Sequence, residues 1–97
     1  MNIGQAIKEL RQRRYPDLRQ EAFAKCVGIS QTYLSQLENG HKQASTEVLQ
    51  GIADFCEVPL AILFWFTIEE KEVRKNKKEA FKLLKPCIDE MINQLIL

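Results

Sequence analysis

The chain has 97 residues, of which 45% are hydrophobic, and its net charge is +1. A chain of this length buries about 60–65% of its unfolded surface, which is enough for one small core and excludes a large enzyme cleft. The near-neutral charge excludes a uniformly basic nucleic-acid-binding protein. Residues 1–45 nevertheless contain seven basic side chains against four acidic ones, whereas the remainder contains seven against nine. The positive excess therefore lies in the N-terminal half.

The cysteines, the single histidine and the apolar runs limit the class of protein further. The three cysteines lie 30 and 31 residues apart and form no CxxC pair, so neither a zinc site nor any cofactor is predicted. Reduced thiols of this kind suit a reducing cytoplasm. The N-terminal sequence MNIGQAIKEL has no signal-peptide pattern. The longest apolar run, residues 60–66, is too short to span a bilayer. We therefore expect a cytoplasmic protein without a metal or a membrane segment.

The first predicted element is an amphipathic helix over residues 2–14. Its apolar residues recur at helical spacing, namely Ile3, Ala6, Ile7 and Leu10. The sequence Tyr15-Pro16-Asp17 ends this helix, because proline disfavours helical geometry in the residue before it.

Residues 20–39, QEAFAKCVGISQTYLSQLEN, predict two short helices joined by a tight corner. Gly28 ends the first helix, because glycine readily takes the left-handed conformation common at helix C-termini. Ser30 then caps the second helix by accepting a backbone N–H. Leu34 and Leu37 share the inner face of that helix. The outer face is left with Gln31, Thr32, Ser35 and Gln36. Glutamine and hydroxyl side chains on a short helix suit contacts with base edges in the DNA major groove.

This stretch resembles the helix-turn-helix of the Cro/cI-type repressors, the XRE family. The resemblance includes Gln20, Ala24, Gly28, Ile29, Ser30, Leu34, Leu37, Glu38, Asn39 and Gly40, and it extends over about residues 3–64. It implies an all-α fold, with a five-helix lambda-repressor-like DNA-binding domain at residues 1–66 and a C-terminal amphipathic helical extension at residues 67–97. It also implies that Arg11 pairs with Glu38. The ligand implied is double-stranded DNA, contacted by Gln20, Ser30, Gln31, Thr32, Ser35, Gln36, Asn39 and Lys42.

Two further helices are predicted after the helix-turn-helix. Ser45 or Thr46 caps a fourth helix, whose apolar face contains Val48, Leu49, Ile52, Ala53 and Cys56. Pro59 suits the first turn of a short fifth helix. The sequence LAILFWF at residues 60–66 is apolar on every side. Part of it is therefore expected to lie under an element beyond the five-helix unit.

The tail is predicted to provide that cover. Thr67 and Glu70 form a capping-box pattern, which would start a helix through the charged run 69–79, with Glu70 paired to Arg74. An apolar seam with spacings of 3, 4, 3 and 4 then follows at Phe81, Leu84, Ile88, Met91 and Leu95. Pro86 lies off the seam and must kink the helix or restart it. The stripe either folds back on LAILFWF or pairs with a second chain, and we favour the dimer.

No catalytic constellation is visible in the sequence. It has no motif that places a cysteine beside the histidine, no phosphate-binding glycine loop and no metal-ligand spacing. The predicted function is that of a sequence-specific DNA-binding transcriptional regulator without enzymatic activity. In its simplest form it is a repressor that binds a palindromic operator as a homodimer. The alternative is an antitoxin-like or other interaction protein whose C-terminal helix binds a partner polypeptide.

Overall fold

Six α-helices make up most of residues 2–96, the part of the chain that the computed structural model describes. They are α1 (Ile3–Arg14), α2 (Gln20–Val27), α3 (Gln31–Glu38), α4 (Thr46–Phe55), α5 (Ala61–Thr67) and α6 (Lys78–Ile96). Two 3-10 turns, Glu70–Glu72 and Lys75–Lys77, connect α5 to α6. The predicted all-α, lambda-repressor-like fold is confirmed, and the bounds of the first four helices agree within about two residues.

The helix ends follow local sequence signals. Ser30 caps α3 by accepting a hydrogen bond from the backbone N–H of Tyr33 at 3.1 Å. Ser45 caps α4 in the same way. Gly28 ends α2 with a φ of 80°, in the left-handed region. Asn2 and Gln5 add a reciprocal capping box at the start of α1. The corner between α2 and α3 is therefore fixed by residues that local chemistry selects.

The hydrophobic core draws on every α-helix of the described chain. Its largest fully buried side chains are Phe23, Ile7, Leu10, Leu34, Leu37, Ile52, Leu63 and Cys56. At one point α1 approaches the backbone of α3 directly. A Cβ atom added to Gly4 would lie 2.1 Å from the carbonyl oxygen of Leu37. The two helices can therefore approach this closely only because Gly4 has no side chain.

The connection between α1 and α2 covers the C-terminal end of α4. Tyr15 donates its hydroxyl to the carbonyl of Phe55 at 2.8 Å, and the Arg14 guanidinium donates to the carbonyl of Cys56 at 3.1 Å. The rings of Tyr15 and Phe55 lie 4.9 Å apart. Glu57, just beyond α4, has a φ of 60°. This helix therefore ends in the left-handed conformation that glycine normally supplies.

The capping box predicted at Thr67–Glu70 is wrong. Thr67 is the last residue of α5, and its hydroxyl donates to the carbonyl of Phe64 at 2.7 Å. Glu70 lies 3.4 Å from Lys82 rather than pairing with Arg74. Neither of the two 3-10 turns in this segment buries any residue. Helices in proteins are stabilised mainly by packing of an apolar face, so the next α-helix begins only at Lys78, where apolar residues resume.

The C-terminal helix α6 folds back onto the domain through one side only. Ile92 and Ile96 are buried, and the Trp65 indole N–H donates to the Asp89 carboxylate at 2.9 Å. Arg13 donates to the side-chain oxygen of Asn93 at 2.9 Å. The helix continues through Pro86 without restarting there.

The predicted apolar seam does not act as one surface. Phe81 and Ile88 are partly buried, whereas Leu84, Met91 and Leu95 are exposed. The buried face of α6 contains Ile92 and Ile96, so the seam lies at the edge of that face and only its inner side is covered. Pairing of the outer side with a second chain stays a prediction.

Candidate nucleic-acid interface

The outward surface of the helix-turn-helix is built from the N-terminal ends of α2 and α3. Gln31 and Thr32, the first two residues of α3, are exposed, and Ser35 and Gln36 follow one turn later. Together with Gln20, the first residue of α2, these four side chains line one shallow groove. The structure therefore brings together five of the eight side chains that were predicted to contact DNA. A recognition helix contacts base edges through residues of its N-terminal part.

The other three predicted residues flank this groove at the ends of α3. Ser30 precedes the helix and is engaged in capping it. Asn39 follows the helix, and its side-chain amide donates to Ser35 Oγ at 3.4 Å. Lys42 is exposed in the loop beyond. These positions suit contacts with the DNA backbone on either side of the groove, and their role stays a prediction.

A buried ion pair contacts the inner side of α3, which is the recognition helix of the predicted helix-turn-helix. Arg11 on α1 donates two hydrogen bonds to the Glu38 carboxylate, from Nε at 2.8 Å and from Nη2 at 3.0 Å. Only 5% of Glu38 is exposed. This is the bidentate geometry in which an arginine–carboxylate pair is strongest. The pairing implied by the family resemblance is therefore present, and it fixes the end of α3 to α1.

Glu38 also binds a residue of the groove, which sequence reasoning missed. Its Oε1 accepts a third hydrogen bond, from Gln20 Nε2 at 3.0 Å. The family resemblance implies only a contact with DNA for Gln20. Its own Oε1 accepts from Gln31 Nε2 at 3.4 Å. A hydrogen-bonded chain therefore runs from α1 to the first residue of α3. The partners are 18 and 11 positions apart in sequence, so no local pattern indicates them.

Tyr33 supports the loop that follows the recognition helix. Its hydroxyl lies 3.4 Å from the carbonyl oxygen of Gln43, to which it donates. Lys42 is the neighbouring residue, so this contact restrains the loop that presents the lysine.

Known proteins are similar to this chain in sequence over the helix-turn-helix. A family model described as helix-turn-helix matches residues 7–63, more than half of the chain. The chain belongs to the Cro/cI-type helix-turn-helix family. It is therefore a DNA-binding transcriptional regulator rather than an enzyme. The matched range includes all eight predicted contact residues and ends before α6.

Three relatives of this helix-turn-helix protein differ in how much they share with it. It is 39% identical over 61 residues to the ImmF control region 10 kDa protein of Bacillus phage phi105. The aligned residues cover 63% of this chain and 66% of that protein. It is 34% identical over 64 residues to the control protein C.MunI of Mycoplasma sp, covering 66% of this chain and 85% of the relative. It is 49% identical over 50 residues to the antitoxin PezA of Streptococcus pneumoniae serotype 4, covering 52% of this chain and 30% of the antitoxin. No solved structure matches the chain.

None of the described helices is long and apolar enough to cross a membrane. Among the described residues, no group of His, Cys, Asp and Glu side chains is arranged to hold a metal ion.

Proposed function

We propose that this regulator is a transcriptional repressor that acts in the cytoplasm and binds a palindromic operator as a homodimer. The observation that supports DNA recognition most directly is the groove at the start of α3, which is lined by four polar side chains of that helix and by Gln20. The Arg11–Glu38 pair, at 2.8 Å, links the end of α3 to α1 and so supports this surface. One relative is named as a control region protein and another as a control protein, and these names support a regulatory role for this chain.

Within this surface we assign base contacts to Gln31, Thr32, Ser35 and Gln36. Gln31 is the best placed of them, because its amide can make a bidentate contact with N6 and N7 of adenine. Lys42 is assigned to a phosphate contact, which contributes affinity without selecting a sequence. The two assignments predict different effects of mutation.

Substitution of the two residues tests the assignments. Gln31→Ala should cost about 1–3 kcal/mol for the preferred site and relax selectivity at one base pair. Lys42→Ala should weaken binding to all sequences about equally and reduce its salt dependence. Both are measured by titrating labelled duplexes of specific and random sequence at two salt concentrations. Equal losses for specific and random DNA in Gln31→Ala would show that the base-contact assignment is wrong.

The dimer surface that we propose is the exposed apolar side of α6, which we call the α6 stripe. It consists of four side chains that are between 57% and 74% exposed, namely Leu83, Leu84, Met91 and Leu95. Together they expose on the order of 500 Å² of apolar surface, which is near the upper end for a typical monomer. The exposed side of the helix holds no charge between these residues except Glu90 at its edge.

A second copy of this chain is the occupant that we propose for the α6 stripe. Small residues, Ala80 and Cys87, alternate along it with the large ones, so two stripes can interlock across a two-fold axis. An area of this size is at the low end for protein interfaces. Binding of the two copies to half-sites about one helical turn apart on the same DNA would further stabilise the dimer.

The oligomeric state tests this surface. The double variant Leu84→Asp, Met91→Asp should sediment as a monomer at micromolar concentration and lose operator affinity, while keeping its helical content. Asn76→Asp places an acid on an exposed 3-10 turn outside the stripe and should leave the dimer intact. Deletion of the tail is a poorer test, because it also removes Ile92 and Ile96 from the core. A full-length protein that sediments as a monomer would exclude the dimer.

The second candidate is an interaction protein whose α6 stripe binds another polypeptide. The observation that favours it is the 49% identity to an antitoxin over 50 residues. This candidate predicts a monomer in sedimentation and a partner that co-purifies with the wild type. The partner should be lost in Leu84→Asp, Met91→Asp and retained in Asn76→Asp.

A further inference from the structure

We propose that Glu38 determines the base preference of the recognition helix, although it touches no DNA. It does so by fixing the orientation of the Gln20 amide, which in turn fixes that of Gln31. Glu38 is thus a positioning residue for sequence recognition as well as the partner of Arg11. The inference rests on the base contact proposed above for Gln31.

The direction of the hydrogen bonds follows from the chemistry of a carboxylate. An ionised carboxylate only accepts hydrogen bonds, whereas a glutamine amide can present either its N–H groups or its oxygen. Gln20 must therefore turn its nitrogen towards Glu38 Oε1, which lies 3.0 Å away. Its oxygen is left facing Gln31, whose nitrogen lies 3.4 Å from it. The buried carboxylate thus sets the donor-to-acceptor direction of both hydrogen bonds, the one between Gln20 and Glu38 and the one between Gln31 and Gln20.

This direction determines what Gln31 presents to DNA. One N–H of Gln31 is directed at Gln20, which leaves the second N–H and the carbonyl oxygen for a base. That pair matches N7 and the N6 amino group of adenine. If both amides were reversed, the oxygen and nitrogen of Gln31 would exchange places. The side chain would then offer its donor where adenine also has a donor, so the preference for adenine would be lost.

Two single variants separate this role from the structural role of the ion pair. Glu38→Gln is nearly isosteric, but its neutral amide can donate as well as accept, so Gln20 is no longer held in one orientation. Arg11→Gln breaks the same ion pair and keeps the carboxylate. The double variant Arg11→Gln, Glu38→Gln removes the carboxylate without leaving a buried guanidinium unpaired, so it provides a folded test protein where Glu38→Gln alone unfolds.

The test is selection from a duplex DNA library randomised over about two helical turns, followed by measurement of relative affinities at each position. The position contacted by Gln31 is the one at which Gln31→Ala loses selectivity. There the wild type and Arg11→Gln should prefer adenine by about 10-fold or more, a ratio within the range for one bidentate contact. Glu38→Gln and the double variant should show less than about 3-fold preference. Because the preference is a ratio measured within one protein sample, a reduced folded fraction does not change it.

Three results would overturn the inference. One is a full adenine preference in either variant that lacks the carboxylate. Another is an equal loss of preference in Arg11→Gln, which would assign the effect to helix packing. The third is selection by the wild type of a base other than adenine at the Gln31 position. A wild-type protein that enriches no sequence would instead refute the proposed function, and this inference with it.

Discussion

Replacing Gly4 by alanine tests the close contact between α1 and the recognition helix. The new Cβ would lie 2.1 Å from the Leu37 carbonyl oxygen and 3.2 Å from that of Glu38. Both obstacles are backbone atoms, so one helix must move by roughly 1 Å to relieve the overlap. Overpacking of this kind costs about 1–3 kcal/mol and sometimes more, whereas the gain in helix propensity is at most about 1 kcal/mol. We therefore expect Gly4→Ala to lower the free energy of unfolding by about 2 kcal/mol.

Gly51 provides the matched control for this experiment. It also lies inside a helix, α4, but beyond its neighbours in the chain and the backbone of its own helix no atom lies within 4 Å of an added Cβ. Gly51→Ala should stabilise the protein by up to about 1 kcal/mol. In thermal unfolding followed by circular dichroism, Gly4→Ala should lower Tm by about 8–16 °C and Gly51→Ala should raise it by a few degrees. A Gly4→Ala protein that is as stable as the wild type would refute the argument from close contact.

Three further predictions concern the end of α4. Tyr15→Phe removes the hydrogen bond to the Phe55 carbonyl, so the free energy of unfolding from urea titration should fall by about 0.5–1.5 kcal/mol. Glu57→Gly should stabilise the protein by about 0.5–1 kcal/mol, because glycine takes the observed positive φ without strain; a destabilised variant would contradict this. Burial raises the pKa of the Cys56 thiol from its ordinary value of 9.0 to about 11. The unfolded state therefore releases this proton first, and stability should fall between those pH values by about 2 kcal/mol more in the wild type than in Cys56→Ala.

The parts of the fold that the sequence predicts correctly are those set by neighbours in the chain. The helix ends at Gly28, Ser30 and Ser45 depend on a cap or a left-handed residue, which the residue type itself indicates. The prediction of a helix start at Thr67 in the tail was wrong because local sequence alone does not decide it. Thr67 and Glu70 have the right spacing for a capping box, but the segment after them has no apolar face to bury. A capping pattern therefore indicates a helix start only where packing follows.

The candidate site shows the same division between local and distant information. The outward face of α3 follows from helical periodicity alone, and the Arg11–Glu38 pair from family resemblance. The series of side-chain hydrogen bonds from Arg11 through Glu38 and Gln20 to Gln31 joins three elements, α1, α2 and α3. Its geometry depends on how α1, α2 and α3 cross, which no spacing in the sequence specifies.

The segment between α5 and α6 has a consequence for proteolysis. Its basic side chains, Lys71, Arg74, Lys75 and Lys77, are exposed on turns that bury nothing, which is where trypsin cleaves most readily. A single cut there leaves α6 attached only by contacts such as those of Ile92 and Ile96. Retention of α6 would then change from an intramolecular to a bimolecular equilibrium, and the high effective concentration provided by the connection would be lost. On dilution the nicked protein would release α6 and uncover part of its core.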